Sequence, residues 1–309
     1  MNAIRIREFG GPESLRLERV PTPTPGEGDV LVRVVAAGVG PWDAWIRTGR
    51  SAISQALPLT PGSDLAGVVA AVGPGVNGFH LGDPVFGVTN AQFTGAYAEY
   101  AVAAVGMLAP KPDRLAFIAA ASLPVVGCTA WQMVFDHGQV DGTKRVLVHG
   151  AAGNVGAYAV QFARRVAKEV VATAFPADLE YVRTLGAHQV IDVTACRFED
   201  AVTSVDIVLD TVGGETLDRS FAVLAPGGVL VSSVETPDPV KASHHQVRGV
   251  FFLVHVSSPT LATLADLVVT GELVTAVGTV LPLTEAQLAH EMLAGTPHNR
   301  GKIVLAIAD

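Results

Sequence analysis

The residues in this sequence with the most definite chemical potential are glycines. Gly150-Ala151-Ala152-Gly153-Asn154-Val155-Gly156 follows directly on the apolar run 145–149 and leads at once into a helical pattern. A turn between a strand and a helix presents backbone N–H groups and the positive helix end to an anion, and a pyrophosphate suits it. Gly153 and Asn154 let the backbone approach the phosphates, and Gly156 lets the helix lie close on the sheet. Glycine turns also join strands to helices where no nucleotide binds; here the flanking strand and helix favour a dinucleotide.

An enzyme that prefers NAD places an acidic residue about twenty positions on, at the end of the second strand, to take the ribose 2′-hydroxyl. Here that strand ends Ala172-Thr173-Ala174-Phe175-Pro176, without a carboxylate. NADPH is therefore the expected cofactor, by about tenfold over NADH. Thr173 with one of Arg183, Arg197 or Lys302 would meet the 2′-phosphate, although each base reads more simply as a solvated surface charge.

Metal and nucleophile chemistry find little here. Cys128 and Cys196 are the only cysteines and form no CxxC pair, and the adjacent His244 and His245 point to opposite sides of an extended segment. No metal site and no confident catalytic side chain is expected. Hydride transfer from a reduced nicotinamide needs neither, since positioning and exclusion of water do most of the work.

The elements that must hold such a site follow from the patterning. The 309 residues suit two domains, and 49% hydrophobic against 16% charged residues, with mean hydropathy +0.40, suits a sheet covered on both faces. A net charge of -8 without a basic run argues against nucleic acid. Two cysteines point to a reducing, cytoplasmic setting. No secretory signal and no apolar run of membrane-spanning length is evident; the segment 116–126 is short, contains Pro124 and reads as buried. Short strands broken by Gly and Pro are expected at 30–39, 64–72, 84–88 and 97–103. Beyond about residue 118, strands at 145–149, 169–174, 189–193, 205–210, 228–234 and 247–254 alternate with helices at 155–167, 177–185 and 215–224. This is the pattern of a doubly wound parallel sheet. Helices at 260–269 and 285–293 and a strand at 302–307 form a tail expected to return to the β-rich part.

Most of the chain resembles the zinc-independent medium-chain dehydrogenases/reductases, in their quinone oxidoreductase-like branch. The resemblance rests on Pro61-Gly62-Ser63-Asp64-Leu65-Ala66-Gly67-Val68-Val69, Gly82-Asp83-Pro84-Val85-Phe86-Gly87, Gly95-Ala96-Tyr97-Ala98-Glu99-Tyr100 and Thr129-Ala130-Trp131. The glycine turn, Leu185-Gly186-Ala187, Asp210-Thr211-Val212-Gly213-Gly214 and Gly301-Lys302-Ile303-Val304-Leu305 complete it. It implies an α/β protein: a GroES-like, β-rich catalytic domain (1–118 and 255–309), a Rossmann NADP-binding domain (119–254) and a cleft between them. It further implies a homodimer and NADPH-dependent hydride transfer to a quinone or other α,β-unsaturated carbonyl. Thr129, Ala152, Gly153, Asn154, Val155, Thr173, Thr211, Val212, Gly213, Phe252, Leu253 and Val254 would line the cofactor, and Trp42, Trp45 and Phe93 the acceptor.

Zinc-containing relatives carry a cysteine soon after Gly38 and a His-Glu pair after Gly62, where this chain has Gly40 and Ser63-Asp64. The stretch Gly40-Pro41-Trp42-Asp43-Ala44-Trp45-Ile46-Arg47-Thr48-Gly49 follows the quinone oxidoreductase pattern with Gly for Asn. Trp45 stands where some relatives have a tyrosine, as a wall for a flat substrate. Asp43 and Arg47 read as a structural ion pair or turn network. The rival readings are an enoyl-thioester or enone reductase on the same fold, and an NADPH-binding protein without catalysis.

Overall fold

The structure is a computed structural model that describes residues 1–307. The chain divides into two compact units, Met1–Val125 with the chain from Val256 on, and Val126–His255.

The first unit is β-rich. Its seven-stranded sheet runs Val277–Pro282, Lys302–Ala306, Asp29–Val39, Asp64–Val72, Pro84–Val88, Leu108–Pro110, with Tyr100–Ala104 also on Asp29–Val39. Val32, Val34 and Ala36 are buried while Arg33 and Val35 between them are half-buried, the alternation of a strand with one face on a core. The tail strand Lys302–Ala306 pairs antiparallel with Asp29–Val39, Ile303 opposite Val39. A helix, Pro41–Arg47, starts at Pro41 and takes Asp43 in its first turn.

The second unit is a six-stranded, wholly parallel sheet. Its strands are β1 (Arg145–His149), β2 (Glu169–Ala174), β3 (Gln189–Asp192), β4 (Val205–Asp210), β5 (Leu224–Ser232) and β6 (Arg248–Phe251), in the order β3-β2-β1-β4-β5-β6. That order reverses direction between β1 and β4, so the crevice beyond their carboxyl ends is where a ligand belongs. Val146, Leu147 and Val148 have no exposed surface, because helices cover both faces of the sheet. Those helices are α1 (Asn154–Val166), α2 (Leu179–Thr184), α3 (Phe198–Ala201), α4 (Gly214–Ser220) and α5 (Pro239–His244).

Several expected boundaries move. Tyr97 and Ala98 precede the strand Tyr100–Ala104, because Tyr97 N–H donates to the Pro61 carbonyl and Ala98 bridges Ala3. The last strand of the parallel sheet ends at Phe251. Beyond it, Phe252 packs on His137 with ring centres 4.4 Å apart, and Gln132 holds the backbone of His255. The strand Val277–Pro282 has no apolar alternation to announce it: Gly278 lies where a Cβ would be 2.3 Å from the Asn299 carbonyl.

Candidate functional site

The glycine turn joins β1 to α1 in a form that only small residues allow. Gly150 has φ +69°, and a Cβ there would sit 2.5 Å from Thr211 Oγ1. At Gly156 a Cβ would lie 2.2 Å from the Gly150 carbonyl, so this glycine sets the close approach of α1 to the turn. At Gly153 a Cβ would meet only the Gly150 oxygen, at 3.2 Å. The first N–H groups of α1 have no partners within the helix and point beyond its end.

Beside this turn lies a cavity of about 460 Å³, contained in the second unit. The turn contributes Gly150, Ala152 and Gly153, and the end of β2 contributes Thr173, Ala174 and Phe175. Thr211, Val212, Thr216 and Arg219 come from the end of β4 and from α4. Asp210, buried, shapes the loop after β4 by accepting from the N–H groups of Val212 and Gly213 at 3.1 Å and from Ser232 Oγ at 2.8 Å. Thr211 Oγ1 donates to the His149 carbonyl at 2.8 Å, which ties that loop to the glycine turn.

Of the residues expected along a cofactor, the cavity brings together Ala152, Gly153, Thr173, Thr211 and Val212. Asn154 and Val155 form the first turn of α1, and Gly213, at φ +78°, precedes α4. Thr129 sits buried in the helix Pro124–Trp131, and Phe252, Leu253 and Val254 follow β6 on the segment that packs against residues 132–137.

The floor holds a residue that sequence reading missed. His149, buried, lies between Thr173 Oγ1 at 3.0 Å from Nδ1 and Ser220 Oγ at 3.1 Å from Nε2, with Phe198 edge-on at 4.5 Å. Burial, helped by the nearby Arg219 charge, pushes its pKa down to about 3, so the ring is neutral. Arg219 lies over the Phe198 ring at 4.8 Å and is gripped by Glu199 through Nε at 2.6 Å and through Nη2. That grip holds the Glu199 carboxyl down to about 2.

The bases expected at a 2′-phosphate are elsewhere. Arg183 pairs with Glu180 at 3.2 Å and Arg197 with Glu199 at 3.0 Å, and neither lines the cavity. Lys302 belongs to the first unit. A carboxylate, Asp178, does line the cavity: the 3₁₀ turn Pro176–Asp178 after β2 brings it back to the wall that Ala174 forms.

In the first unit, Lys302 and Asp64 form a buried ion pair, Nζ 3.0 Å from Oδ2, and the ammonium lies 4.2 Å from the centre of the Trp42 ring. Trp42 Nε1 donates to Ser63 Oγ at 3.1 Å, so this indole is half-buried and tethered, while Trp45 is exposed and Phe93 packs partly into the core at φ +59°. Asp43 accepts from Gly40 N–H and Tyr97 Oη, both at 2.9 Å, and burial raises its pKa to about 7. Arg47 donates to His290 Nδ1 at 3.1 Å and to the Gly10 carbonyl at 2.8 Å, so of the two expected arrangements, an ion pair or a turn network, Asp43 takes the second at the helix start and Arg47 stands in a separate network. Among the described residues no group of three or more His, Cys, Asp or Glu converges as a metal site.

Comparison with known proteins places the chain. Residues 26–113 match the family described as alcohol dehydrogenase GroES-like domain, and residues 185–305 the family described as zinc-binding dehydrogenase. The quinone oxidoreductase of Rattus norvegicus is 32% identical over 99% of this chain and 98% of its own length. The NADPH-dependent alkenal/one oxidoreductase of Arabidopsis thaliana is 33% identical over 99% of this chain and 79% of its own length. The solved quinone oxidoreductase of Coxiella burnetii superposes with a TM-score of 0.93 at 32% identity, covering 99% of both chains. With Gly40, Ser63 and Asp64 where zinc relatives carry ligands, the chain is a pyridine-nucleotide oxidoreductase of the zinc-independent, quinone oxidoreductase-like branch of the medium-chain dehydrogenases/reductases.

Proposed function

We propose that this protein reduces quinones and other α,β-unsaturated carbonyl acceptors with NADPH, using no metal. The observation that carries the reading is the glycine turn at the β1–α1 junction opening onto a cavity lined by the ends of β2 and β4. When bound, the reduced nicotinamide supplies the hydride; the acceptor completes its reduction with a proton from water. The chain's part is to bind and orient. Ala152, Asn154 and Val155 offer backbone N–H groups to the pyrophosphate, Gly153, whose own N–H is held by the Gly150 carbonyl, leaves room for its approach, Gly150 and Gly156 keep the turn tight, and Thr211, Val212 and Gly213 border the same crevice. Thr129 and the segment Phe252-Leu253-Val254 complete the cofactor side in this reading, and Trp45 and Phe93 offer flat apolar surface to the acceptor.

NADPH is supported by Ala174, which puts no carboxylate at the end of β2, and by the name of the Arabidopsis relative. The enone arm has the same relative behind it. The protein works as a homodimer, for which the open edge of β6, with Leu253 exposed just beyond it, offers backbone pairing. Two cysteines outside any disulfide suit a reducing cytoplasm, and no helix among the described residues is long and apolar enough to cross a membrane. Steady-state oxidation of NADPH, followed by absorbance with quinones, enones and enoyl thioesters in turn, tests the reading. Turnover with quinones or enones is expected, and binding without turnover of any acceptor would overturn it.

A further inference from the structure

Gly40, Ser63 and Asp64, which stand at the metal positions of zinc-containing relatives, are linked in the fold by one side chain, Trp42. Gly40 is the N-cap of the helix Pro41–Arg47, with φ -138° and ψ 166°, an extended backbone that any residue adopts. A side chain there would run into the Trp42 ring. The three atoms nearest to a Cβ at position 40 all belong to that indole, at 2.3 to 2.5 Å. Two further groups hold the ring: Nε1 donates to the buried Ser63 Oγ at 3.1 Å, and the Lys302 ammonium lies 4.2 Å from the ring centre, within reach of a cation–π contact.

The oxygen donors are committed as well. Ser63 Oγ has accepted the indole N–H, Asp64 Oδ1 accepts from Val125 N–H at 3.1 Å, and Asp64 Oδ2 faces the ammonium at 3.0 Å. Neither Lys302 Nζ nor Asp64 Oδ2 has a hydrogen-bond partner, so the buried ammonium sits as a bare cation between a carboxylate oxygen and a ring face. A metal ion brought to Asp64 would have to displace a charge already there. These residues do not fit a zinc ion.

We propose that Trp42 and Lys302 fill the place at which zinc-containing relatives hold their ion, the indole taking its volume and the ammonium its charge. Glycine at position 40 and tryptophan at position 42 are then a coupled pair, because the ring needs the space that a ligand side chain would take. Restoring ligands does not restore a metal while the indole stays. The inference extends the metal-free reading of the function and is independent of the acceptor.

Cobalt(II) is the probe, because coordination to a thiolate is read directly as a charge-transfer absorption. It is titrated into Gly40→Cys/Ser63→His, which offers a thiolate and an imidazole beside the Asp64 carboxylate, and into the same protein carrying Trp42→Ala. The variant without the indole should bind cobalt at least about tenfold more tightly than the variant that keeps it. A second measurement needs no metal. Gly40→Ser, a residue otherwise favoured at an N-cap, should lower the urea midpoint in the wild-type background and not in the Trp42→Ala background. Equal cobalt affinity with and without the indole, or no absorption in either variant, overturns the proposal. A Gly40→Ser loss of the same size in both backgrounds overturns it too. Neither measurement uses turnover, so a failure to reduce quinones would leave this inference standing.

Discussion

Replacing Lys302 by Met removes the ammonium that faces the buried Asp64 carboxylate while keeping a long, unbranched side chain. Asp64 then retains the Val125 N–H, 3.1 Å from Oδ1, and no longer has a facing positive charge at 3.0 Å. Burial pushes the Asp64 pKa up, and Lys302 is what opposes it. A carboxyl left in this state takes up a proton, and that sets a ceiling on the loss. Keeping it neutral at pH 7, when its unfolded value is about 3.9, costs about 1.4 kcal/mol for each pH unit between them, roughly 4 kcal/mol in all. At pH 5 the same reasoning gives roughly 1.5 kcal/mol. The pH 7 figure lies within the range of about 3–5 kcal/mol for breaking a buried ion pair from one side. The sign follows from the raised folded pKa: the protonated carboxyl favours the fold below its unfolded value and loses that advantage as pH rises. The deficit of Lys302→Met against wild type should therefore grow from pH 5 to pH 7. Urea unfolding of both proteins at pH 5, 6 and 7, together with Lys302→Met/Asp64→Leu, measures it, and the double variant should recover more than half the loss at pH 7. A single variant within about 1 kcal/mol of wild type at pH 7, or a deficit that does not shrink toward pH 5, refutes the reasoning.

Two further changes probe the two units separately. Gly153→Val adds a branched side chain where only the Gly150 oxygen is near, so the protein should stay folded and lose nucleotide affinity by at least about tenfold, read by fluorescence titration. Asp43, raised to about 7 by burial, favours the fold when protonated, so wild-type stability should fall as pH rises from 5 to 8. Asp43→Asn, whose amide oxygen still accepts from Gly40 and Tyr97, should flatten that profile in urea melts, and an unchanged slope counts against the assignment.

What could be read from the sequence was local. The apolar run 145–149, the seven-residue glycine turn and the helix after it are contiguous, and each obeys its own period, so the parallel sheet and its glycine turn were legible. The groups that decide polarity were not. His149 looks like the last residue of a strand until Ser220 and Thr173, from distant segments, close on it. Asp178 escaped because the strand-end rule stops at Ala174, whereas a 3₁₀ turn carries the carboxylate back to the cavity. Lys302 looked like a surface base, since nothing near it in the chain announces Asp64 or the Trp42 ring. The strand Val277–Pro282 was hidden because its fit depends on a backbone approach at Gly278 rather than on side-chain alternation.

The proposed reaction is metal-independent reduction of a conjugated carbonyl by a nucleotide held at the glycine turn. Its most direct test is the rate of reduced-nicotinamide oxidation with a simple para-quinone, measured on protein dialysed against a strong chelator and on the same protein with zinc restored. Turnover is expected that dialysis leaves intact, that zinc does not raise, and that Gly153→Val reduces in parallel with its loss of nucleotide affinity. Activity lost on dialysis and recovered with zinc, or a Gly153→Val protein that turns over as fast as wild type at low nucleotide concentration, would contradict it.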